Sequence, residues 1–340
     1  MKGKTYRTAT ILLSFFLVLG LIPLITAQAQ QNNHILTVDK SGEGNYITIQ
    51  EAINNAPDMA TIYIKAGIYS EIIDITKSIN LIGEDEVIIN PISEKNSYAM
   101  RVGAPGTKIS KLSVTNGAPG PYTSGIYISA SNTEIEDCNV YDTPIGLAVW
   151  TSNNIINNCT FWGCKDEGIA LLGSSYSECN SNEITNCIFH DNCDGIELQY
   201  SSNNIITGCK LYNNTHMGID AIASSNNKNT ITNCTIYNNN VNGIYLSSSS
   251  DNQIVDCSVS NNKDGNVITT GNSYNNEIAN TNFYTSETKT PVTNSISYQN
   301  NKITLEKDTK NSVLNAILNI KINNILVLCT YIAMFFANQK

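Results

Sequence analysis

Two carboxylate residues, Glu197 and Asp220, recur at the same place in a repeated stretch of sequence. Each is the third residue of a Gly-apolar-x-apolar segment, GIEL at 195–198 and GIDA at 218–221. If these segments are stacked strands, the two side chains point outward as neighbours, and their repulsion would raise the pKa of one of them. A retaining glycosidase needs two carboxyl groups about 5–5.5 Å apart. The pair is therefore a candidate catalytic acid and base.

Two other interpretations of the same carboxylates stay open. The pair could share a Ca²⁺ ion, which takes several carboxylate oxygens, or it could belong to a solvated acidic patch on an exposed sheet. His190 and His216 are too few and too far apart in the pattern to predict a metal site, so the sequence leaves the metal undetermined. Four more acidic residues lie in the turns just before these strands: Asp166, Glu167, Asp191 and Asp194.

A row of aromatic residues follows the cysteines of the repeat at an offset of three. Flat aromatic rings in a row suit stacking on sugar rings, because each ring buries a large area. Tyrosine is also common on ordinary strand surfaces, so a purely structural role is the alternative. Trp150 and Gln199, at outward positions of the Gly-apolar strands, join the predicted carbohydrate-binding set. The row itself consists of Tyr141, Trp162, His190, Tyr212 and Tyr237.

Cysteine returns three residues after an isoleucine, as in ITNC at 184–187 and again at 231–234. Vertical neighbours in a stack have nearly parallel side chains, which disfavours disulfides within the column. We expect buried free thiols that act as small apolar residues; a ladder for Cu(I), which thiolates suit, is the alternative. If any cysteines are bridged, Cys164 and Cys193 in adjacent turns are the predicted pair. The column comprises Cys138, Cys159, Cys187, Cys209, Cys234 and Cys257.

These positions recur because the chain repeats. From Leu112 to Thr281 the column takes seven steps with a mean of about 24 residues, which is typical of a solenoid. The apolar pieces are short and alternate with period two, so they predict strands rather than helices. Three short strands per coil, stacked in parallel, give an all-β, right-handed parallel β-helix. In this interpretation the isoleucine closes one strand, two residues bend the chain, and the cysteine opens the next strand.

The N-terminal block differs from the repeats. ITIQEAINNA at 47–56 is amphipathic, with Ile49, Ala52, Ile53 and Ala56 on one face. We expect a helix that covers the first coil, since an open end would expose unpaired strand edges. The predicted organisation is a cap with the first coils over 35–97, repeats over 98–300, and a C-terminal helix over 310–338.

Over about residues 35–300 the chain resembles the parallel β-helix repeats of the NosD-like and the carbohydrate-binding and sugar-hydrolase proteins, which are pectin-lyase-like. The block TVDKSGEGNYITIQEAINNAP resembles the start of pectinesterases. The resemblance implies the fold, and the NosD-like part of it implies copper handling. The sequence lacks the catalytic motifs of pectinesterases and polygalacturonases, so no activity follows from it.

The ends and the overall charge set the cellular context. Residues 1–29 have a positive start, an apolar core and an Ala27-Gln28-Ala29 cleavage site, which predicts a signal peptide cut after Ala29 and a secreted or cell-surface protein. The net charge of −9 over 340 residues argues against a nucleic-acid partner. The helix over 310–338 either caps the domain or contacts a membrane. We expect a monomer.

The first functional hypothesis is a surface protein that binds a polysaccharide or cell-wall polymer. The alternative is a polysaccharide lyase or glycoside hydrolase that acts through Glu197 and Asp220, with Ca²⁺ as the candidate cofactor. A second alternative is a NosD-like accessory protein for copper handling.

Overall fold

The computed structural model describes residues 35–91, 98–115, 123–177, 179–222, 225–284 and 302–304. Within these residues the chain forms a parallel β-helix of three sheets, as the repeat predicts. The predicted signal peptide (1–29) and the C-terminal helix (310–338) lie outside the described residues. No helix in the described part of the chain is long and apolar enough to cross a membrane.

A complete coil contributes one strand to each sheet, and the strands are numbered in chain order. Sheet 1 has 12 strands: β1 (Ile35–Val38), β2 (Thr61–Ile64), β5 (Asn80–Gly83), β8 (Lys108–Ser110), β11 (Glu134–Glu136), β14 (Ile155–Asn157), β17 (Glu183–Thr185), β20 (Ile205–Thr207), β23 (Thr230–Thr232), β26 (Gln253–Val255), β29 (Glu277–Ala279) and β31 (Lys302–Thr304). Sheet 2 has nine: β4 (Ile73–Ile75), β7 (Tyr98–Val102), β10 (Ser124–Ile128), β13 (Ile145–Val149), β16 (Glu167–Leu172), β19 (Asp194–Gln199), β22 (Ile219–Ile222), β25 (Asn242–Ser247) and β28 (Gly265–Thr270). Sheet 3 has ten: β3 (Gly67–Tyr69), β6 (Val87–Ile89), β9 (Ser113–Thr115), β12 (Asn139–Tyr141), β15 (Thr160–Trp162), β18 (Ile188–His190), β21 (Lys210–Tyr212), β24 (Thr235–Tyr237), β27 (Ser258–Ser260) and β30 (Asn282–Tyr284).

One helix, α1 (Ile49–Asn55), lies between β1 and β2, and it contacts β2 and β4. Thr48 caps its N-terminus, and Ile49, Ala52 and Ile53 are buried. The Gln50 side chain bonds both the backbone N–H of Asp74 (2.7 Å) and its carbonyl (3.2 Å). These two bonds give the edge strand β4 polar partners that a further strand would otherwise supply.

The cysteine column lies where sheet 1 turns into sheet 3. All six cysteines are free and at most 2% exposed. Their thiols contact backbone carbonyls; for example, the sulfur of Cys187 lies 3.2 Å from the carbonyl oxygen of Thr185. The residue before each cysteine has a left-handed backbone, for example Asn158 at φ 52° and Asn186 at φ 55°. Asparagine, aspartate and glycine tolerate that conformation best. The sequence analysis predicted that two residues make the bend before each cysteine. In the structure only the second of them makes it, because the first still belongs to the preceding strand, as Asn157 does in β14. A copper role for the column stays a prediction.

The predicted Cys164–Cys193 disulfide is wrong, since both thiols are free. The backbone N–H of Cys164 donates to the side chain of Asn192, so Cys164 occupies the place of Asn192 one coil earlier. Cys193 is the residue after Asn192, so it does not occupy the same place in its coil as Cys164 does. Cys164 is 3% exposed inside the coil beside Thr143, whereas Cys193 is partly exposed.

Two buried columns of asparagine, which the sequence analysis did not single out, hold the coils together. In each column a side-chain oxygen accepts the backbone N–H of the asparagine one coil earlier, as Asn214 does for Asn192 (3.1 Å). Such bonds satisfy turn groups that have no strand partner. The first column, before sheet 1, comprises Asn154, Asn182, Asn204, Asn229, Asn252 and Asn276. The second, before sheet 2, comprises Asn192, Asn214, Asn239 and Asn262.

Close packing between neighbouring coils explains why glycine recurs near the start of the sheet 2 strands. A Cβ atom on Gly195 would lie 2.5 Å from the carbonyl oxygen of Gly218 in the next coil and 2.9 Å from the side chain of Leu211. The second asparagine column and this close approach together fix where each sheet 2 strand starts, and thus which side chains reach its outer face.

Candidate functional site

The outer face of sheet 2 carries a continuous line of side chains in register. Glu197 pairs with Asp220 on the neighbouring strand, so the two predicted carboxylates are vertical neighbours. Two small residues, Ala148 and Ala170, precede them in the line and are buried beneath Tyr127 and Leu172. From N- to C-terminus the line reads Asp74, Arg101, Tyr127, Ala148, Ala170, Glu197, Asp220 and Tyr245.

Four carboxyl groups form a buried cluster on this face. Glu167 and Asp194 each stand directly before the glycine of their strand and pair in register. Glu167 is 6% exposed, Asp194 5%, Glu197 8% and Asp220 4%. The alternative of a solvated acidic patch is therefore wrong, because all four groups are almost completely buried.

Burial changes how the cluster holds protons. It raises the pKa of Glu167 to about 9, with Glu197 as the next cause. It raises the pKa of Asp220 to about 8, with Asp194 and then Glu197 adding to the effect. Burial also raises the pKa of Glu197 and of Asp194. The cluster thus favours neutral acids at a pH where exposed carboxyls are ionised.

The cluster has few polar partners. Gln199 donates to Glu197 (3.2 Å), and Asp194 accepts from the backbone N–H of Met217 (2.6 Å) and lies 2.9 Å from Nδ1 of His216. Within the described ranges, no lysine or arginine forms an ion pair with the cluster. Two buried oxygens, Glu167 Oε2 and Asp220 Oδ1, have no hydrogen-bond partner there. Unsatisfied buried oxygens are uncommon in folded proteins and mark this face as unusual.

Two overlapping sets of side chains have the geometry to hold a cation. In the first, one oxygen each from Asp194, Glu197 and Asp220 lie within 4.8 Å of one another. In the second, ligand atoms of Cys193, Asp194 and His216 lie within the same limit. The sequence analysis considered only whether His190 and His216 could share a site, whereas the structure places His216 with Cys193 and Asp194.

Sheet 2 also carries an aromatic row, of which the sequence analysis identified only Trp150. The rings of Tyr98 and Tyr127 lie 5.9 Å apart at 30°, and those of Tyr127 and Trp150 lie 6.3 Å apart at 36°. Trp150 is 42% exposed. Tyr98 lies in a coil without the Gly-apolar formula, so only its strand alignment could have revealed it. The row runs towards the carboxyl cluster across the alanine floor of Ala148 and Ala170.

The predicted aromatic row on sheet 3 is present and in register, but its rings stack on one another. Tyr141 and Trp162 lie 4.6 Å apart at 9°, and Tyr212 and Tyr237 lie 5.1 Å apart at 10°. His190 stacks within the row at 6.0 Å from Trp162 and 5.1 Å from Tyr212. Each inner ring thus covers its neighbours' faces and leaves only its edge for a ligand. Sugar binding by this row stays a prediction.

The other two predicted site residues, Trp150 and Gln199, share a column on sheet 2. Leu172 lies between them, since it pairs with Gln199 and follows Leu171, the partner of Val149. Trp150 belongs to the aromatic row and Gln199 to the carboxyl cluster. Trp150 and Gln199 therefore lie at two ends of one surface and do not contact each other.

Comparisons with known proteins agree with this architecture. The family model described as "Right handed beta helix region" matches residues 66–227 and 124–283. A pectinesterase of Petunia integrifolia is 30% identical over 148 residues, which is 38% of this chain and 40% of that protein. The chain thus spans well under half the length of this curated relative.

Solved structures give the same fold at low identity. The ORF18 protein of Geobacillus virus E2 superposes with a TM-score of 0.61 and 16% identity, covering 90% of this chain and 64% of that one. The Dettilon tailspike protein superposes with a TM-score of 0.51 and 14% identity, covering 72% of this chain and 62% of that one. Together with the parallel three-sheet solenoid and its repeat, the family match shows that this chain belongs to the right-handed β-helix family.

Proposed function

We propose that this protein binds a polysaccharide along the outer face of sheet 2, at a cell surface or after secretion. The observation that carries the proposal is the aromatic row of Tyr98, Tyr127 and Trp150, which leads into the carboxyl cluster. The similarity to a pectinesterase supports a polysaccharide as the ligand class.

The geometry of the row suits a sugar polymer. Its rings are tilted by 30° and 36° instead of lying parallel, so their faces are not closed off as on sheet 3. The exposed ring of Trp150 offers apolar area to a sugar face. Its coil lies two steps from Glu197 and three from Asp220, or about 10 and 14 Å at a strand spacing of about 4.8 Å. A short oligosaccharide therefore reaches from the ring to the carboxyls.

Binding is tested on a panel of neutral and acidic polysaccharides with the purified protein. For the polymer that binds, Trp150→Ala should weaken affinity by more than about 10-fold, as expected for a central aromatic contact. Trp162→Ala, on sheet 3, is the matched control and should change affinity less than about twofold, within the effect of a peripheral contact.

Two results would contradict the proposal. One is equal loss of binding in both tryptophan variants, which would place the polymer elsewhere. The other is binding of no polysaccharide by a folded wild-type chain.

A second candidate function is cleavage of the bound polymer by Glu197 and Asp220. The buried, paired carboxyls favour it, since such perturbed pairs are more frequent in catalytic sites than on ordinary surfaces. One oxygen from each group lies within 4.8 Å of the other, which matches the short separation of retaining glycosidases better than the wider inverting one. In the described residues no lysine or arginine pairs with the cluster to neutralise a uronate, so hydrolysis is favoured over a lyase reaction.

Cleavage is tested by release of reducing ends from the polymer that binds. Glu197→Gln and Asp220→Asn keep the shape of the side chains and should each lower the rate about 10²–10⁴-fold, the usual contribution of general acid–base groups. Glu183→Gln, at an exposed position of sheet 1, is the control and should leave the rate unchanged. Unchanged cleavage in the first two variants would rule out the pair while leaving the binding proposal intact.

A further inference from the structure

Three side chains with different ligand atoms meet at the start of β19. Cys193 and Asp194 are consecutive, and His216 comes from the turn one coil later. Their sulfur, oxygen and nitrogen atoms lie within 4.8 Å of one another. We propose that Cys193, Asp194 and His216 bind a divalent cation of the zinc class. This inference does not depend on polysaccharide binding.

Hydrogen bonds hold together the two turns that carry the three side chains. The N–H of His216 donates to the carbonyl of Cys193 (2.9 Å), and the N–H of Met217 donates to the Asp194 carboxylate (2.6 Å). The turn that carries His216 is therefore fixed against the turn that carries Cys193 and Asp194. A site held in this way loses little conformational freedom when an ion binds.

The site is open on one side. The side chain of His216 is 41% exposed and Cys193 is partly exposed, whereas the Asp194 side chain is 7% exposed. An ion can thus reach the thiol and the imidazole from solvent and contact the carboxylate at the base. Three protein ligands leave a fourth position of a tetrahedral ion for water or a ligand.

A second observation favours a cation at this place. Asp220 is 4% exposed, and its Oδ1 has no hydrogen-bond partner within the described part of the chain. An oxygen of Asp220 lies within 4.8 Å of one of Asp194. A buried carboxylate without a partner is costly. A divalent ion bound to Asp194 would place positive charge next to this oxygen.

The types of ligand atom indicate which metal ion the site would bind. A thiolate and an imidazole suit Zn²⁺, whereas Ca²⁺ and Mg²⁺ prefer oxygen ligands. The all-oxygen set of Asp194, Glu197 and Asp220 would suit Ca²⁺ and shares Asp194, so the two ions would compete. The chain also contains its own control, because His190 lies 2.7 Å from Asp191 on sheet 3 without a neighbouring thiol in the described structure.

The first experiment measures metal binding by the chelator-treated, reduced protein. We expect one Zn²⁺ per chain by equilibrium dialysis, with affinity lowered more than about 100-fold in His216→Ala and Cys193→Ser, since even residues that only orient a ligand contribute about 10–100-fold. His190→Ala is the matched control and should bind as the wild type does. Binding of Ca²⁺ in preference to Zn²⁺, or equal loss in the two histidine variants, would overturn the proposal.

The second experiment identifies the thiol by replacing Zn²⁺ with Co²⁺. A thiolate ligand gives an intense near-ultraviolet charge-transfer band, which should disappear in Cys193→Ser and persist in Cys164→Ser. Circular dichroism of each variant verifies that the coils are folded. A Co²⁺ spectrum without this band in the wild type, or a band that survives in folded Cys193→Ser, would contradict the assignment.

Discussion

Sheets 2 and 3 are built from the same repeat, yet their turns and outer faces differ. Buried asparagine side chains hold the turn into sheet 2 by hydrogen bonds, whereas buried cysteines fill the turn into sheet 3 with weak contacts. The outer face of sheet 2 carries tilted rings and a carboxyl cluster with unsatisfied oxygens. The outer face of sheet 3 carries nearly parallel rings that stack on one another.

Under the proposed function, sheet 3 contributes to stability and sheet 2 to ligand binding. On sheet 3 each ring packs on its neighbours, so the row stabilises the stack. On sheet 2 the interactions of the carboxyls remain incomplete, which is typical of a surface that meets a ligand. The strong asparagine column beneath sheet 2 then has a clear role, since it holds the strand starts that carry Glu167 and Asp194.

The largest expected effect distinguishes the two turns. Asn214→Ala removes the acceptor for the backbone N–H and the side chain of Asn192 and the bond to Asn239. A buried donor left without a partner, together with the lost bonds, should lower the free energy of unfolding by about 3 kcal/mol. Cys209→Ala, in the other turn, should cost about 1 kcal/mol, because only weak thiol contacts are lost. Urea unfolding measures both, and equal costs would show that the two columns are equivalent.

The carboxyl cluster should make stability depend on pH. The folded pKa of Glu167, about 9, lies above its ordinary value of 4.5, so the fold favours the neutral acid. The stabilisation is complete below about pH 4.5 and is lost as the pH rises towards about 9, with a fall of about 2 kcal/mol between about pH 5 and 6.5. Unfolding in the presence of chelator measures this.

The amide variant Glu167→Gln keeps the shape and cannot ionise, so its profile should be flatter over that range. Glu183→Gln is the exposed control and should follow the wild type. A wild-type profile that rises from pH 5 to 8 would have the opposite sign and would exclude a buried neutral Glu167.

The two aromatic rows should differ in their contribution to stability. Tyr212 stacks on both His190 and Tyr237, whereas Tyr98 contacts one tilted ring. Each aromatic pair contributes about 0.5–1.5 kcal/mol beyond burial. Tyr212→Ala should therefore destabilise the protein by about 2 kcal/mol and Tyr98→Ala by about 1 kcal/mol, as measured by thermal unfolding. A larger cost at Tyr98 would mean that the sheet 2 row is the structural one.

The smallest expected effect concerns the cysteine column. Thr281 occupies its last position, and the hydroxyl of Thr281 donates to the carbonyls of Ile254 (3.3 Å) and Ala279 (3.1 Å). Cys257→Thr should therefore change stability by less than about 1 kcal/mol, since the hydroxyl can repeat these bonds. A loss of several kcal/mol would show that the column needs sulfur, and would revive a chemical role for it.

The periodic features were predictable from the sequence. The Gly-apolar segments, the cysteine spacing and the aromatic offset each located residues that the structure aligns, including Glu197 beside Asp220 and Trp162 beside His190. This register can be predicted by aligning the repeats in the sequence, because equivalent positions in successive coils must stack. Features without a sequence period were missed, as Tyr98 shows.

Direction and contact were not predictable in the same way. The proposed Cys164–Cys193 bridge failed because the two cysteines do not occupy equivalent places in their coils: Cys164 is buried opposite Asn192, whereas Cys193 is partly exposed. The asparagine columns were not predicted, although in the structure these residues are buried and hydrogen-bonded across coils. The sequence shows that His216 follows Asp194 by a coil, but only the stacked turns bring the imidazole 2.9 Å from the carboxylate.

By itself, the sequence determined the solenoid, the register of its coils and the positions that face outward, because a repeat that buries every second side chain admits one stacking. Only the tertiary structure decided which outward side chains are covered, which rings face one another and which carboxyls lose their solvent. Those outcomes depend on how the turns of neighbouring coils fold over the sheet, and a turn's path depends on hydrogen bonds between coils that no local pattern specifies.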